Sequence, residues 1–221
     1  MKFPATLTTL ALFCVAGLSV RAQDDAQRVM EAMKVRMQGA KVYDADMRIK
    51  VDVSFMKVPE SKAHVHFEAP DKTTIDAPGF AMIPKQGADL SAAKLLSQPY
   101  VAVSAGREMF QGVMMRKITV IPSSESSEIA VAVVYVDTTT MTPRKVVSTT
   151  RKGGTITAEL VYNDAAARVY CLPSYVKLRF DIGSFQIPKT MSGDFENSTK
   201  EAPKGPQQAT VEIWYSAYRI R

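Results

Sequence analysis

The sequence predicts an α+β fold in which one amphipathic helix precedes many antiparallel strands of a single curved sheet or open barrel. Apolar and polar residues alternate strictly over residues 43–55 (YDADMRIKVDVSF), the pattern of a long β-strand with one buried face. The same alternation returns in most later segments, with short turns between them. Runs of strands that follow a helix without alternating helices favour an antiparallel arrangement.

The first element is a helix over residues 24–38. Apolar residues recur at helical spacing along this segment, namely at Ala26, Val29, Met30, Met33 and Met37. Charged residues occupy the opposite side, and Gly39 is a natural stop. We therefore expect the methionine side of this helix to pack on the sheet.

The strands follow in chain order. Residues 43–55 and 62–68 (KAHVHFE) alternate on either side of a short turn, which predicts a hairpin, and residues 73–76 form a short third strand. Further strands are expected over residues 100–104, 112–121, 128–137, 144–151, 155–163, 175–182 and 209–220. Residues 193–208 have no period and are predicted to be an exposed loop.

An apolar interruption separates the two groups of strands. Residues 80–83 (FAMI) lie between Pro78 and Pro84, which cannot donate to the ladder of a central strand. Residues 88–97 (ADLSAAKLLS) follow as a predicted short helix with Leu96 on its apolar side. This segment is expected to lie outside the sheet.

The amino terminus has the composition of a secretory signal peptide. Lys2 precedes a short apolar run over residues 7–20, and residues 20–22 (VRA) end in the small residues that cleavage requires. We predict removal of residues 1–22, which leaves one soluble domain over residues 23–221. An uncleaved anchor is the alternative interpretation.

Composition excludes several functions. The net charge of +6 is spread along the chain, and no block of Lys and Arg predicts a nucleic-acid partner. Cys171 is the one cysteine of residues 23–221, so no disulfide forms within that domain. The sequence contains neither a Gly-rich phosphate loop nor a serine-hydrolase elbow. No cofactor is expected.

A His-x-His pair is the strongest candidate for chemistry. His64 and His66 share one face of a strand, and Glu68 would complete a set of three metal ligands. The other face, with Ala63, Val65 and Phe67, is the apolar one, so the histidines are expected on the solvated side. We therefore predict no metal and keep a metal-dependent enzyme as the less favoured hypothesis.

The methionines leave two interpretations open. Several of the 12 fall on predicted inward faces, among them Met33, Met47, Met82 and Met114. Flexible thioether side chains suit a surface that adapts to variable apolar ligands, and they also fill gaps in an ordinary core. Composition does not separate a ligand site from a core.

The order of elements resembles that of the periplasmic outer-membrane lipoprotein carrier and sorting family, the LolA-like proteins. The similarity covers most of residues 24–185 and is carried by the helix AQRVMEAMKVRM, the strand and turn HFEAPDKTTID, the turn VDTTTMTPRKV and the hairpin VVSTTRKGGTITAELVYN. The resemblance implies an incomplete antiparallel β-barrel, covered by an N-terminal helix and a helical or irregular lid over residues 80–96. One family feature is absent, because the family's Arg shortly after the corresponding proline has no counterpart in residues 70–74 (PDKTT), where Lys72 is the nearest basic residue and is not assigned its role.

The resemblance also implies a function. A LolA-like protein is a non-catalytic periplasmic carrier whose apolar barrel cavity holds the acyl chains of lipoproteins or lipids for transfer to the outer membrane. Its partners would be an inner-membrane release complex and an outer-membrane acceptor, and we expect a monomer. A lipid-sensing or partner-sensing module of the same fold is the alternative. The predicted cavity and lid residues are Met33, Met37, Met47, Ile49, Val51, Val53, Phe55, Val65, Phe67, Phe80, Met82, Ile83, Leu96, Met114 and Ile118.

Overall fold

The computed structural model describes residues 14–53, 56–57, 59–70, 72–77, 96, 98–151, 154–181 and 208–221. Its elements in chain order are α1 (Cys14–Gly39), β1 (Val42–Val53), β2 (Met56–Lys57), β3 (Ser61–Glu68), β4 (Lys72–Asp76), β5 (Tyr100–Phe110), β6 (Val113–Pro122), β7 (Ile129–Asp137), β8 (Thr142–Thr150), β9 (Thr155–Val161), α2 (Ala165–Val169), β10 (Tyr175–Asp181) and β11 (Gln208–Ile220). The described residues include no helix that is both long and apolar enough to cross a membrane.

One open antiparallel sheet dominates the molecule. Within the described residues, ten strands pair in the order β4-β3-β1-β11-β10-β9-β8-β7-β6-β5, and the two-residue strand β2 pairs with β1. β4 and β5 lie at the two ends of this order, so the sheet is not closed. The predicted α+β fold with a single antiparallel sheet is confirmed.

The last strand of the chain lies in the middle of this sheet. β11 pairs with β1 on one side, where Tyr215 is opposite Met47, and with β10 on the other, where Ile213 is opposite Val176. The first and last strands are therefore neighbours, and β11 joins the β1–β4 group to the β5–β10 group.

A single row of apolar residues crosses seven strands. Residues directly opposite each other on paired strands share a face of the sheet. The row therefore defines one face, called the inner face below, and consists of Val51, Val211, Leu178, Ala158, Val146, Val134 and Ile118. Helix α1 packs on this face, because its buried Met30 and Met33 share a cluster with Ile118 and Val134.

Most predicted elements form close to their expected bounds, with three differences. The helix predicted over residues 24–38 begins at Cys14 and ends at Gly39. The strand predicted over residues 100–104 continues to Phe110 past a register shift between Ser104 and Arg107. Helix α2 was not predicted. The predicted lid over residues 80–96, apart from Leu96, and most of the predicted loop over residues 193–208 lie outside the described residues.

Candidate functional site

Helix α1 closes one half of the inner face. Met30 and Met33 are fully buried and pack with Leu96, Ile118 and Val134. We call this group, with its neighbours from β5 to β8, the helix cluster. Its members are Ala26, Met30, Met33, Leu96, Tyr100, Ala102, Ile118, Val120, Ala132, Val134, Val136 and Val146. In this half the apolar face is a filled core.

Contacts at two places along α1 hold the helix on the sheet. In its middle, Asp25 accepts a hydrogen bond from Arg116 at 2.6 Å, and Gln27 accepts one from the backbone N–H of Ala102 at 3.0 Å. At its end, the Arg36 guanidinium donates hydrogen bonds to four backbone carbonyls of other elements. Helix α1 is therefore a fixed cover.

A second apolar group lies on the other half of the inner face. This strand cluster has a buried part that consists of Ala45, Met47, Ile49, Ala63 and Val65. Val211, Ile213 and Tyr215 of β11 pack against it and stay partly exposed. The cluster includes no residue of α1 or α2.

Aromatic rings fill one end of the strand cluster. Tyr43 stacks on Phe67 with ring centroids 5.0 Å apart, and Tyr218 lies 6.0 Å from Tyr43 and 6.1 Å from Tyr215. The Tyr218 hydroxyl donates to the carbonyl of Pro173 at 2.8 Å. Burial raises the pKa of Tyr43 from its ordinary value of 10 to about 12, in keeping with a ring packed among other rings. Aromatic side chains therefore pack against each other at this end of the strand cluster and fill it.

Between the two clusters, the inner face is apolar and only partly covered. We call this area the central strip; it consists of Val51 and Val53 on β1, Val211 on β11, and Leu178 and Phe180 on β10. Register places all five on the inner face, and each keeps partial exposure. A continuous apolar strip of this kind can bind an apolar chain without any polar or catalytic group.

The structure places the predicted cavity residues in several environments. Met33, Leu96 and Ile118 belong to the helix cluster, with Met37 packed against it. Met47, Ile49 and Val65 are buried in the strand cluster, with Val51 packed against it. Val53 lies in the central strip, and Phe67 stacks at the aromatic end. Phe55, Phe80, Met82 and Ile83 lie outside the described residues.

Met114 is on the same face of β6 as Ile118, but it is exposed. Its relative accessibility is 50%, and it pairs with Met109 near the turn between β5 and β6. This row lies beyond the last β6–β7 row, Arg116 with Val136, so among the described strands the sheet has only two strands there. Met114 therefore has the predicted face but is not buried with the other predicted cavity residues.

Sequence reasoning left Leu178, Phe180 and Val211 out of the site. Their strands were predicted with alternating apolar faces, which was the available signal. Alternation within a strand does not predict which strands are neighbours in the sheet. These side chains come together only because β11 pairs with both β1 and β10.

The histidine pair lies on the outer face and is held by carboxylates of β1. His64 Nδ1 lies 2.9 Å from Asp46 Oδ1, and His66 Nδ1 lies 2.7 Å from Asp44 Oδ1. Glu68, the expected third ligand, instead accepts a hydrogen bond from Lys72 at 2.9 Å. Over the described ranges, no group of three or more His, Cys, Asp or Glu side chains is arranged to hold a metal ion.

Asp44 is the electrostatic centre of this outer-face group. The hydrogen bonds from His66 and then from Arg221, whose Nη2 lies 2.6 Å from Asp44 Oδ2, lower the pKa of Asp44 to about 2. Since this pKa is below the ordinary value of 3.8, the carboxylate contributes stability above about pH 4, and that contribution disappears as the pH falls through about 2.

Asp44→Asn is therefore expected to lower the urea midpoint at neutral pH and to reduce the loss of stability between about pH 4 and pH 2. A series of urea unfolding curves across this range measures both effects. Asp52→Asn, on the exposed side of the same strand, is the matched control and should lose stability with acid as the wild type does. An identical acid profile for Asp44→Asn and wild type would contradict the assignment.

Comparison with solved structures places the fold. The chain is similar to an outer membrane lipoprotein-sorting protein domain from Vibrio parahaemolyticus, with 13% identity, a TM-score of 0.54, and coverage of 90% of this chain and 93% of the other. A LolA superfamily protein from Nitrosomonas europaea has 10% identity and a TM-score of 0.60, with 89% and 93% covered. A DUF1329 family protein from Desulfovibrio piger has 9% identity and a TM-score of 0.50, with 88% and 92% covered.

These likenesses establish a LolA-like fold over about nine-tenths of the chain, as the sequence resemblance implied. No family model and no curated protein matches the sequence.

Proposed function

We propose that the protein is a non-catalytic periplasmic carrier that binds acyl chains of lipoproteins or lipids on the central strip. The observation that carries this proposal is the partly exposed apolar strip, which joins two buried clusters on one face of an open sheet. The LolA-like fold supports the same function, since two of the similar structures are a lipoprotein-sorting protein domain and a LolA superfamily protein.

Hydrophobic burial supplies the affinity in this proposal. Each buried methylene contributes about 0.8 kcal/mol, so a chain with a dozen buried methylenes gains roughly 10 kcal/mol before the entropic cost of association. A carrier needs no reactive group for this task. Residues 1–22 would act as the export signal, and residues 23–221 would form the carrier domain.

Filling the central strip should weaken acyl-chain binding. Val211→Trp places a large apolar side chain on the inner face, where it competes with the ligand and adds apolar burial. We expect the affinity of the variant for a fluorescent fatty acid, measured by displacement, to be about tenfold or more lower than that of the wild type. Mass spectrometry of the gently purified wild type should show co-purifying acyl-chain species, and the variant should carry fewer of them.

Thr210→Trp is the matched control, because Thr210 is the adjacent residue of β11 and lies on the outer face opposite Asp52. It should bind the fatty acid as the wild type does. Equal binding by Val211→Trp and the wild type would refute the central strip as the site.

A second assay separates a carrier from a lipid sensor of the same fold. The purified protein is incubated with inner-membrane vesicles that contain a labelled lipoprotein, and the soluble fraction is analysed. A carrier extracts the lipoprotein into solution, in cooperation with an inner-membrane release complex, and delivers it to outer-membrane vesicles. Binding of lipid without extraction would favour the sensor and refute carriage.

A further inference from the structure

The hairpin of β5 and β6 extends beyond the sheet. Its last rows pair Glu108 with Met115, Met109 with Met114 and Phe110 with Val113, whereas β6 pairs with β7 only as far as Arg116. The turn at its end uses positive φ angles at Gln111 and Gly112. A Cβ built on Gly112 would meet no atom within 4 Å, so the turn itself is open to solvent. Behind the turn, Met115 is 1% exposed, and the ring centroid of Phe110 lies 6.4 Å from that of Tyr135 on β7.

Apolar side chains are concentrated on this projection. Met109, Met114 and Val113 are 58%, 50% and 40% exposed. Of the eight large apolar side chains that the described residues leave exposed, these three are at the tip, three more are on the same two strands away from it, and two are on helices, namely Val101, Val103 and Ile121, and Val35 and Val169. Exposed apolar side chains on a hairpin tip can insert into a lipid membrane. A recessed groove, in contrast, can only bind a ligand that enters it.

Basic side chains surround the tip. Four cations and two carboxylates lie in or beside its rows: Arg107, Arg116, Lys117, Lys145, Asp25 and Glu108. Arg116 and Lys117 are paired with Asp25 and Glu108, at 2.6 and 2.8 Å. Lys145 Nζ lies 5.4 Å from the Phe110 ring centroid, and Arg107 is exposed. The net positive charge beside an apolar tip is complementary to anionic lipid headgroups.

Helix α1 approaches the hairpin along its middle turns. Glu31 contacts Tyr100, Gln27 contacts Ala102 and Asp25 contacts Arg116, so the helix comes nearer to the hairpin tip from Glu31 to Asp25.

We propose that the β5–β6 hairpin tip docks on an anionic phospholipid bilayer, with Met109, Val113 and Met114 in the interface and the surrounding cations at the headgroups. A bilayer fits the projecting shape and the basic surroundings together. The purpose of this docking, to bring the central strip to a lipid surface, rests on the proposed carrier function; the apolar and charged features of the tip do not.

Vesicle sedimentation tests this docking surface. The probes are vesicles of phosphatidylethanolamine with phosphatidylglycerol, compared with vesicles of phosphatidylcholine alone. The wild type should bind the anionic vesicles, more weakly at high salt. Met109→Ser/Met114→Ser should bind them about tenfold or more weakly, since two apolar anchors are lost. Arg107→Glu should weaken binding about fivefold or more by reversing a charge near the surface.

Val35→Ser/Val169→Ser is the matched control, because it removes two exposed apolar side chains away from the hairpin and should leave vesicle binding unchanged. Absence of wild-type binding, or equal binding by the tip variant, would overturn the proposal. Capture of the tip only by inner-membrane proteins, and not by lipid vesicles, would overturn it as well.

Fatty-acid displacement by the same variants separates the two proposals. The tip variant should retain acyl-chain binding, and Val211→Trp should retain vesicle binding. Loss of the carrier function would thus be seen in displacement alone, and loss of the docking surface in sedimentation alone.

Discussion

Arg36→Ala is expected to lower the free energy of unfolding by about 3 kcal/mol, because one guanidinium joins three parts of the chain. Its Nη1 donates to the carbonyls of Thr140 and Met141 at 2.8 and 2.5 Å. Its Nη2 donates to Arg168 at 2.7 Å, and its Nε donates to Val169 at 2.9 Å. Alanine would leave these carbonyls without the donor that now ties α1 to the β7–β8 turn and to α2.

Urea unfolding measures this loss, and two further variants define its cause. Arg36→Lys keeps the charge but not the planar fork of donors, so it should recover only a minor part of the stability. Lys34→Ala removes an exposed cation from the same helix, where it lies 3.9 Å from Glu31, and should change stability by less than about 0.5 kcal/mol. A loss for Arg36→Ala no larger than that for Lys34→Ala would contradict the role of Arg36.

Local patterns in the sequence were sufficient for most elements of the fold. Alternation over residues 43–55 predicted β1 because one side of it packs in the strand cluster while the other carries Asp44, Asp46 and Arg48. The helical spacing of methionines predicted the side of α1 that is buried. In both elements one face is apolar and the other charged, and this contrast makes the period visible.

Elements were missed where the pattern changes phase or is too short. β5 was predicted to end at residue 104 because the register shifts between Ser104 and Arg107, with Gly106 at φ 88°, and this breaks the alternation. Helix α2 has only five residues, although Asp164 caps it by accepting from the N–H groups of Ala166 and Ala167. An Asp followed by three alanines was the signal for it.

The candidate site depended on information that no local pattern contains. The central strip forms because β11 pairs between β10, the strand before it, and β1, which lies near the other end of the chain. Alternation assigns a residue to one face of its strand, but it does not name the neighbouring strand. For that reason Val51 and Val53 were predicted for the site, whereas Leu178 and Val211 were not.

Met33→Ala should likewise lower the free energy of unfolding by about 3 kcal/mol, because it empties space in a filled core. Met33 is fully buried in the helix cluster, between α1 and the inner face. The hydrogen bonds of Asp25 and Arg36 hold α1 on either side of Met33, so the helix cannot move to fill the cavity at low cost. Urea or thermal unfolding measures the change, and Val35→Ala, at a position of α1 that is 67% exposed, is the control with little expected effect.

The same variant tests the boundary between core and ligand site. Met33 belongs to the helix cluster and not to the central strip, so Met33→Ala should bind a fluorescent fatty acid as tightly as the wild type under conditions where both are folded. A strong loss of binding in the folded variant would mean that the acyl chain lies beneath α1. The methionines of α1 would then belong to an adaptable ligand surface, which is the alternative to gap-filling that composition left open. Unchanged binding would assign them to the core and leave the ligand to Val211, Leu178 and Phe180.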